Sequence, residues 1–199
     1  MRSEIKTSPA RDRLLAAAAR VFAREGLDGA TTRAIAREAR VNEVTLFRHF
    51  GTKDRLLAAV VGENFRPPEK AGATTAPATG DLRADLLAHA QRYDRLLDEN
   101  LPLVRTMIGE IHRHHRSQER AVYHGVFRPL RESLVARLKV ARARGELPPG
   151  GPVELLADLF GGMIFSGVLR RASQFIRPNY SANAYLQSAV DLFLRGAAR

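Results

Sequence analysis

The 199-residue sequence contains no cysteine, which excludes disulfide bonds, thiol catalysis and cysteine-based zinc sites. It also lacks any apolar run of about 18 residues, the length that a membrane-spanning helix requires. The first residues are polar and lack the apolar segment of a secretory signal. We therefore expect a cytoplasmic protein that does not associate with a membrane.

The sequence also lacks the residue patterns that identify catalytic sites: a nucleophile with its base, paired carboxylates or a glycine-rich phosphate loop. Four histidines are candidate metal ligands: His112, His114, His115 and His124. Consecutive residues of a helix do not share a face, and arginines alternate with these histidines, so a solvated basic surface is the favoured interpretation. We expect no enzyme activity, no metal site and no cofactor.

Positive charge is in excess, because the formal net charge is +11. This balance favours polyanionic partners, chiefly nucleic acid. The first 66 residues and the remainder are both net basic, so charge alone does not locate a nucleic-acid surface. Hydrophobic residues make up 45% of the chain, which is sufficient for the folded core of one or two domains.

Apolar residues recur at helical spacing along most of the chain, and no segment alternates in the manner of a strand. The pattern predicts an all-α protein of about nine helices. Outside residues 31–53, helices are expected at 8–25, 53–66, 81–98, 101–115, 118–144, 153–171 and 181–196. Pro129 predicts a break or kink near residues 127–128. Residues 67–80 are rich in Pro, Gly, Ala and Thr, which predicts a linker.

The helix expected at 153–171 is apolar almost all round, since Asp158 is its single charge between Glu154 and Arg170. A helix of this kind is buried on more than one side, so it is expected to be central or to lie in a subunit interface. Asp158 is interpreted as an interface acid that pairs with Arg170 or Arg171 of a partner subunit.

Residues 31–53 have the pattern of two short helices joined by a tight turn. Thr32 and Asn42 are the predicted N-caps of these helices, because apolar residues follow each of them at helical spacing. Gly51 is expected to end the second helix, and Thr52 is expected to cap the next one. Two helices linked by such a turn predict a helix-turn-helix, whose second helix lies in the DNA major groove.

The second helix of this unit supplies the predicted DNA contacts. The residues expected to face the bases are Asn42, Glu43, Val44 and Thr45, and those expected to hold phosphates are Thr32, Thr45, His49 and Lys53. Glu43 can accept from a cytosine N4 amine, and Val44 can touch a thymine methyl group. Phosphate contacts fix register but not sequence. Leu46 and Phe50 are expected to belong to the core.

The segment TTRAIAREARVNEVTLFRHFGTKDRLL, with the helix before it, resembles the DNA-binding domain of TetR-type repressors over about residues 10–60. The resemblance implies a three-helix DNA-binding head at 1–52 and an all-helical body for effector binding and dimerisation at 53–199. It implies a homodimer, formed through the last two helices, that leaves its operator when a small molecule binds. By position, the family's DNA contacts fall on Thr32, Arg33, Asn42, Glu43, Val44, Thr45, Phe47, His49 and Lys53.

Three residues depart from the family pattern. Arg40 occupies a turn position where glycine is usual, and a left-handed conformation there costs a non-glycine residue energy. Phe47 replaces a common tyrosine, which removes a hydroxyl contact to phosphate. Glu43 replaces a residue that is frequently neutral or basic, so general DNA affinity is expected to fall and base choice to sharpen.

The body resembles the family only in architecture and names no effector. Polar residues on apolar stripes are the best indicators of a pocket. The candidate ligand-binding residues are His89, Tyr93, Met107, Ile111, Tyr123, Phe127, Phe165 and Ser166. For each residue taken singly, a place in the core is the more frequent reason for such a position.

Two alternatives to a ligand-responsive repressor remain open at this point. One is a basic architectural DNA binder without an effector, although such a protein needs no large body. The other is a helical enzyme whose head resembles a repressor by chance, although no catalytic set supports it. The sequence does not decide between repression and activation.

Overall fold

The computed structural model describes residues 9–65, 79–111, 120, 123–173, 175 and 178–197. These residues form nine α-helices and one π-helix and contain no strand, so the all-α prediction is confirmed. The elements are α1 (Pro9–Gly29), α2 (Thr32–Glu38), α3 (Glu43–Phe50), α4 (Lys53–Asn64), α5 (Leu82–Glu99), α6 (Leu101–Ile111), the π-helix (Tyr123–Phe127), α7 (Arg128–Ala143), α8 (Val153–Arg171) and α9 (Ala182–Ala197). No helix among them is both long and apolar enough to cross a membrane.

The chain divides into two compact units: Met1–Arg66 with Pro102–Val126, and Pro67–Leu101 with Phe127–Arg199. The first unit contains α1 to α4 and α6, and the second contains α5 and α7 to α9. The predicted domain boundary after residue 52 stays a prediction. Most of the predicted linker, and His112, His114 and His115, lie outside the described residues.

In the first unit, α2, α3 and α4 pack against α1. The apolar stripes of α1 bury Leu14 and Phe22 completely, and Ala18 is small enough to let a neighbouring helix approach. Full burial of a Leu or Phe side chain contributes about 1.5–3 kcal/mol. Gly26 has a φ of 77° and interrupts α1 at the residue where the sequence predicted its end.

In the second unit, α5 packs against α7, α8 and α9, and α8 packs against α7 and α9. Phe160 of α8 and Phe193 of α9 meet with their ring centroids 4.9 Å apart. Gly167 allows α8 and α9 to approach closely, because a Cβ atom there would lie 2.3 Å from the Tyr185 ring. The Tyr185 hydroxyl donates a hydrogen bond to the carbonyl oxygen of Met163 at 2.7 Å, which fixes this contact.

The predicted change of helix near residues 127–128 is present. The π-helix ends at Phe127, and α7 begins at Arg128 with Pro129 in its first turn. Proline is tolerated there because the first backbone N–H groups of a helix have no intrahelical acceptor. Pro129 therefore separates two helix types without ending the helical course of the backbone at Phe127.

The apolar helix α8 was predicted to be buried on more than one side, but within a single chain it is buried on one side only. Phe160 and Ile164 are fully buried, whereas Leu155 is 53% exposed and Leu159 is 57% exposed. Leu155 and Leu159 are four residues apart and therefore lie on the same face of the helix. This face is not covered by the described residues of the chain.

Candidate functional site

The predicted helix-turn-helix is present as α2, a short turn and α3. Thr31 caps α2, so the prediction of Thr32 was wrong by one residue: Thr31 has an extended backbone and accepts a hydrogen bond from Ala34 N at 3.0 Å. Asn42 caps α3 as predicted and accepts from Val44 N at 2.9 Å. These caps satisfy backbone donors that would otherwise lack a partner.

The turns before and after α3 each contain a residue with a positive φ angle. Arg40 adopts a φ of 55°, in the left-handed region, so this chain forms the turn with an arginine. Gly51 ends α3 with a φ of 74°, and Thr52 then caps α4 by accepting from Arg55 N at 3.1 Å. The predictions for Gly51 and Thr52 are confirmed.

The two faces of α3 differ sharply in exposure. Leu46 is fully buried and Phe50 is 7% exposed, so their assignment to the core is confirmed. Val44 is 72% exposed and Phe47 is 46% exposed. Residues three apart share a helix face, and Arg48, four residues after Val44, is exposed as well. This exposed set, Val44, Phe47 and Arg48, is called the reading face below.

Polar candidates surround the reading face. The Thr32 hydroxyl donates to the Glu43 carboxylate at 2.5 Å, which joins the start of α2 to the start of α3. Lys53 Nζ donates to the carbonyl oxygen of Asp28 at 3.5 Å. Arg33 and Asn42 are exposed, and Thr45 and His49 are half-buried. His49 Nε2 is buried, with no hydrogen-bond partner among the described residues.

The second unit contains a cavity of about 310 Å³ between α5 and α7. Its polar lining consists of Thr79, Asp85, His89, Arg92, Ser133 and Arg137, and its apolar lining of Ala84, Leu86, Ala88 and Leu134. An apolar wall with a few convergent polar groups is the usual character of a small-molecule site, and the volume lies at the lower end of the range for such sites.

An ion-pair cluster around the buried Arg137 contributes Asp85 and Arg137 to the lining of this cavity. Arg137 Nε donates to Asp85 at 2.6 Å, and Arg137 Nη2 donates to Glu146 at 2.6 Å. Thr79 also donates to Asp85, from its backbone nitrogen and its hydroxyl. Burial raises the pKa of Asp85, but the hydrogen bonds from Thr79 and Arg137 outweigh it and hold the pKa below its usual range. Asp85 is therefore ionised and neutralised where it lies.

His89 and Arg92 form the other polar group of the cavity. Arg92 Nη2 lies 3.2 Å from His89 Nδ1 and 3.3 Å from Ser133 Oγ. Burial, with the nearby charge of Arg92, lowers the pKa of His89 from 6.5 to about 4. At pH 7 the imidazole is therefore neutral, and Nδ1 accepts the hydrogen bond from Arg92.

Of the predicted ligand-binding residues, His89 lines this cavity. Tyr93, Phe127, Phe165 and Ser166 belong to the same unit but not to the cavity lining. Phe127 and Phe165 pack edge to face with centroids 5.6 Å apart, Tyr93 is buried, and Ser166 is exposed.

Tyr123 belongs to the first unit and is exposed. Met107 and Ile111 lie on α6, but their side chains are outside the described part of the chain. The structure therefore does not gather the predicted set around this cavity.

The interpretation of Asp158 as an acid paired across a subunit interface was wrong. Asp158 accepts two hydrogen bonds from Arg131 of the same chain, at 2.6 and 3.0 Å. Arg171, one of its proposed partners, instead donates to the buried carboxylate of Asp94. Both pairs join helices distant in sequence, so helical spacing alone did not reveal them.

Sequence reasoning missed several residues of these sites. Arg48 of the reading face was available from its spacing, since it follows Val44 by one helical turn. Arg92 follows His89 by three residues on α5, so the same rule could have found it. Asp85 and Arg137 were not accessible in this way, because 52 residues separate them.

The helix-turn-helix of the first unit and the all-helical second unit define a class, the DNA-binding regulators with a helical second domain. A family model described as bacterial regulatory proteins, tetR family, matches residues 14–60. A second model, described as Tetracyclin repressor-like, C-terminal domain, matches residues 76–191. The chain therefore belongs to the TetR family of bacterial transcriptional regulators, and the expectation of a regulator and not an enzyme is confirmed by the family.

Curated relatives agree with this assignment. An HTH-type transcriptional repressor of Mycobacterium tuberculosis is 33% identical over 161 residues, covering 80% of this chain and 75% of the relative. The HTH-type transcriptional regulator YvkB of Bacillus subtilis is 28% identical over 191 residues, covering 94% of this chain and 97% of the relative.

Solved structures show the same fold. The fatty acid degradation regulator FadR of Bacillus halodurans superposes with a TM-score of 0.79 at 20% identity, covering 96% of this chain and 97% of that one. FadR of Bacillus subtilis, solved in complex with stearoyl-CoA, superposes with a TM-score of 0.75 at 20% identity, covering 93% and 98%. At this identity the likeness establishes the fold alone.

Proposed function

We propose that the chain is a homodimeric repressor that binds a specific operator through α3 and releases it when a small molecule binds the body. The observation that carries the DNA-reading part is the reading face, where Val44 and Phe47 are exposed on a helix whose other face is core. Large apolar side chains kept in water indicate a surface that a partner covers. Repression, as opposed to activation, is supported by the curated repressor of Mycobacterium tuberculosis.

The proposed contacts to DNA are the nine predicted residues: Thr32, Arg33, Asn42, Glu43, Val44, Thr45, Phe47, His49 and Lys53. Val44 touches a thymine methyl group, and Glu43 accepts from a cytosine amine. The hydroxyl of Thr32 occupies Oε1 of Glu43, which leaves Oε2 for the base and restricts the side chain before DNA arrives. Thr32, Thr45, His49 and Lys53 bind phosphates and fix the register of the helix on the groove.

The homodimer is proposed to form through α8 and α9, the last two helices. Leu155 and Leu159 of α8 are exposed, and Leu192 of α9 is 61% exposed. These two helices pack against each other, so a second copy that presents the same pair would form a four-helix interface. The two-fold axis then sets the distance between recognition helices, which is about 34–36 Å for half-sites one helical turn apart.

The response to a ligand is proposed to start in the cavity beside His89. Its volume and mixed lining suit a small molecule, and the complex of Bacillus subtilis FadR with stearoyl-CoA supports a ligand-binding role for this fold. A ligand releases DNA only if it binds the conformation with low DNA affinity more tightly than the other.

Selection of bound sites from random DNA tests the proposal. The full-length protein is expected to return a palindrome, as a symmetric dimer requires. Glu43→Ala is expected to change base preference at one position of each half-site. Glu99→Ala is the matched control, because Glu99 is an exposed acid at the end of α5 and its loss changes the net charge equally.

Three outcomes would contradict parts of the proposal. An unchanged motif for Glu43→Ala would remove the base-reading role of Glu43. Selection without any motif would favour an architectural DNA binder. Operator binding that is insensitive to fractionated metabolite extracts of the host would remove the ligand response.

A further inference from the structure

Arg92, which is half-buried, differs in its partners from Arg137, the buried arginine of the cavity. Arg137 is matched by two carboxylates, those of Asp85 and Glu146. The recorded partners of Arg92 are His89 Nδ1 and Ser133 Oγ, both neutral, and no carboxylate lies within 4 Å of its guanidinium among the described residues. The two contacts use only Nη2, so the remaining donors of the guanidinium fork are not engaged by them.

A half-buried guanidinium with neutral partners bears an uncompensated cost. Burial lowers the pKa of Arg92, which expresses the penalty of removing a cation from water. Arginine nevertheless keeps its charge at neutral pH. An anion in the cavity would offset this penalty and would form charge-assisted hydrogen bonds with the fork.

The other residues of the cavity indicate the charge of the anion and the chemical character of the rest of the ligand. Asp85 is occupied by Arg137 and Thr79, so it leaves Arg92 as the unmatched charge of the lining. One guanidinium balances one carboxylate, whereas a phosphate dianion would leave a charge unmatched. Ala84 and Ala88, the exposed apolar residues of the lining, supply apolar surface for the rest of a small molecule.

We infer that the effector is a small organic carboxylate whose anionic group is bound by Arg92 and whose apolar part lies against Ala84 and Ala88. This inference rests on the proposed function, since it names the chemical class of the ligand. His89 is a positioning residue: its neutral Nδ1 accepts from Arg92 and holds the guanidinium at the cavity wall. Ser133 Oγ orients the guanidinium from α7.

The probes are hexanoate and benzoate, compared with hexanamide and benzamide and with inorganic phosphate, at constant ionic strength. Binding is measured by isothermal titration calorimetry and by the shift of the melting temperature. Each carboxylate is expected to bind at least about tenfold more tightly than the matching amide, because the amide offers the charged guanidinium a neutral acceptor in place of an anionic one. Phosphate is expected to bind more weakly than the carboxylates.

Arg92→Gln is expected to weaken carboxylate binding about tenfold or more and to leave amide binding unchanged. Arg92→Lys keeps the charge but loses the planar fork, and its carboxylate affinity is expected to lie between those of Arg92→Gln and the parent. Arg95→Gln is the matched control, since Arg95 lies three residues further along α5 and is exposed. Circular dichroism establishes that each variant is folded before it is titrated.

The inference is overturned if no carboxylate binds, if amides bind as tightly, if phosphate binds more tightly, or if Arg95→Gln weakens binding as much as Arg92→Gln. Operator release, measured in parallel, separates this failure from that of the proposed function. Carboxylate binding that depends on Arg92 but leaves DNA affinity unchanged supports the site and contradicts the ligand response. Release by an amide supports the response and contradicts the anionic effector.

Discussion

On α3 of the first unit, Val44 remains 72% exposed, whereas in the second unit His89 is only 8% exposed and lines a cavity beside Arg92. One candidate site is therefore an apolar surface kept in water, and the other is a polar group removed from water. Each arrangement costs free energy in the isolated chain. In each region, the exposure of a side chain to water is the opposite of what folding alone favours. This contrast is what identifies both regions as candidate binding sites.

The regions also differ in the range of the interactions that build them. The caps of α2, α3 and α4 join residues two or three positions apart, as in Thr31 with Ala34 and Asn42 with Val44. The body also contains ion pairs between distant segments: 52 residues separate Arg137 from Asp85. Local interactions can be predicted from the sequence, whereas long-range interactions depend on how the helices pack.

The largest expected effect contrasts a half-buried and an exposed acid of the body. Asp85→Ala is expected to destabilise the protein by about 3–5 kcal/mol, because it removes the carboxylate that accepts hydrogen bonds from Arg137 Nε and from the backbone nitrogen and hydroxyl of Thr79. Asp158→Ala removes an exposed pair with Arg131 and is expected to cost at most about 1 kcal/mol. Urea unfolding measures both. Equal losses would mean that burial does not distinguish the two pairs.

The second prediction contrasts the two faces of α3. Leu46→Ala is expected to cost about 2–5 kcal/mol of stability, since the side chain is fully buried. Val44→Ala is expected to change stability by no more than about 0.5 kcal/mol and yet to weaken operator binding. Thermal unfolding and operator titration test the pair. If Val44→Ala destabilised the protein but kept its operator affinity, the reading face would contribute to folding and not to DNA binding. The proposed difference between the two faces of α3 would then be wrong.

The smallest expected effect is a pH dependence of the body. The pKa of His89 is lowered from 6.5 to about 4, so the unfolded chain binds a proton more readily than the folded one between these values. Stability is therefore expected to fall as pH decreases from about 6.5 to 4, by up to about 3 kcal/mol from this residue.

Unfolding of His89→Gln tests this pH dependence. Acids whose pKa is lowered, such as Asp85, also stabilise the protein less as the pH falls. This loss is the same in the parent and in the variant. The difference between the two stability curves is therefore expected to decrease from pH 6.5 to 4. The exposed His124 provides the control variant His124→Gln. A parallel pair of curves for His89→Gln would refute the buried, neutral imidazole.

The features predicted correctly from the sequence are those that depend on residues close together in the chain. Asn42, Gly51 and Thr52 were placed correctly because caps and glycine ends depend on neighbouring residues. The choice between Thr31 and Thr32 failed, since both have a capping hydroxyl and only the backbone decides which one is extended. His89 was found as a polar residue on an apolar stripe.

The cluster around Arg137 and the pairing of Asp158 with Arg131 were not foreseen. In both cases an exposed or buried acid finds its arginine on another helix, and no spacing rule specifies which helix faces which. The contact between Phe127 and Phe165, whose rings pack edge to face, was not foreseen for the same reason.

The turn at Arg40 bears on what an arginine costs at this position compared with a glycine. A left-handed conformation costs a non-glycine residue about 1–2 kcal/mol, whereas glycine would lose about 0.4–1 kcal/mol more through the entropy of the unfolded chain. The first term is the larger over most of these ranges, so arginine at this turn is expected to cost up to about 1.6 kcal/mol of folding stability relative to glycine. The protein thus keeps an exposed cation next to the reading helix at a cost in folding stability.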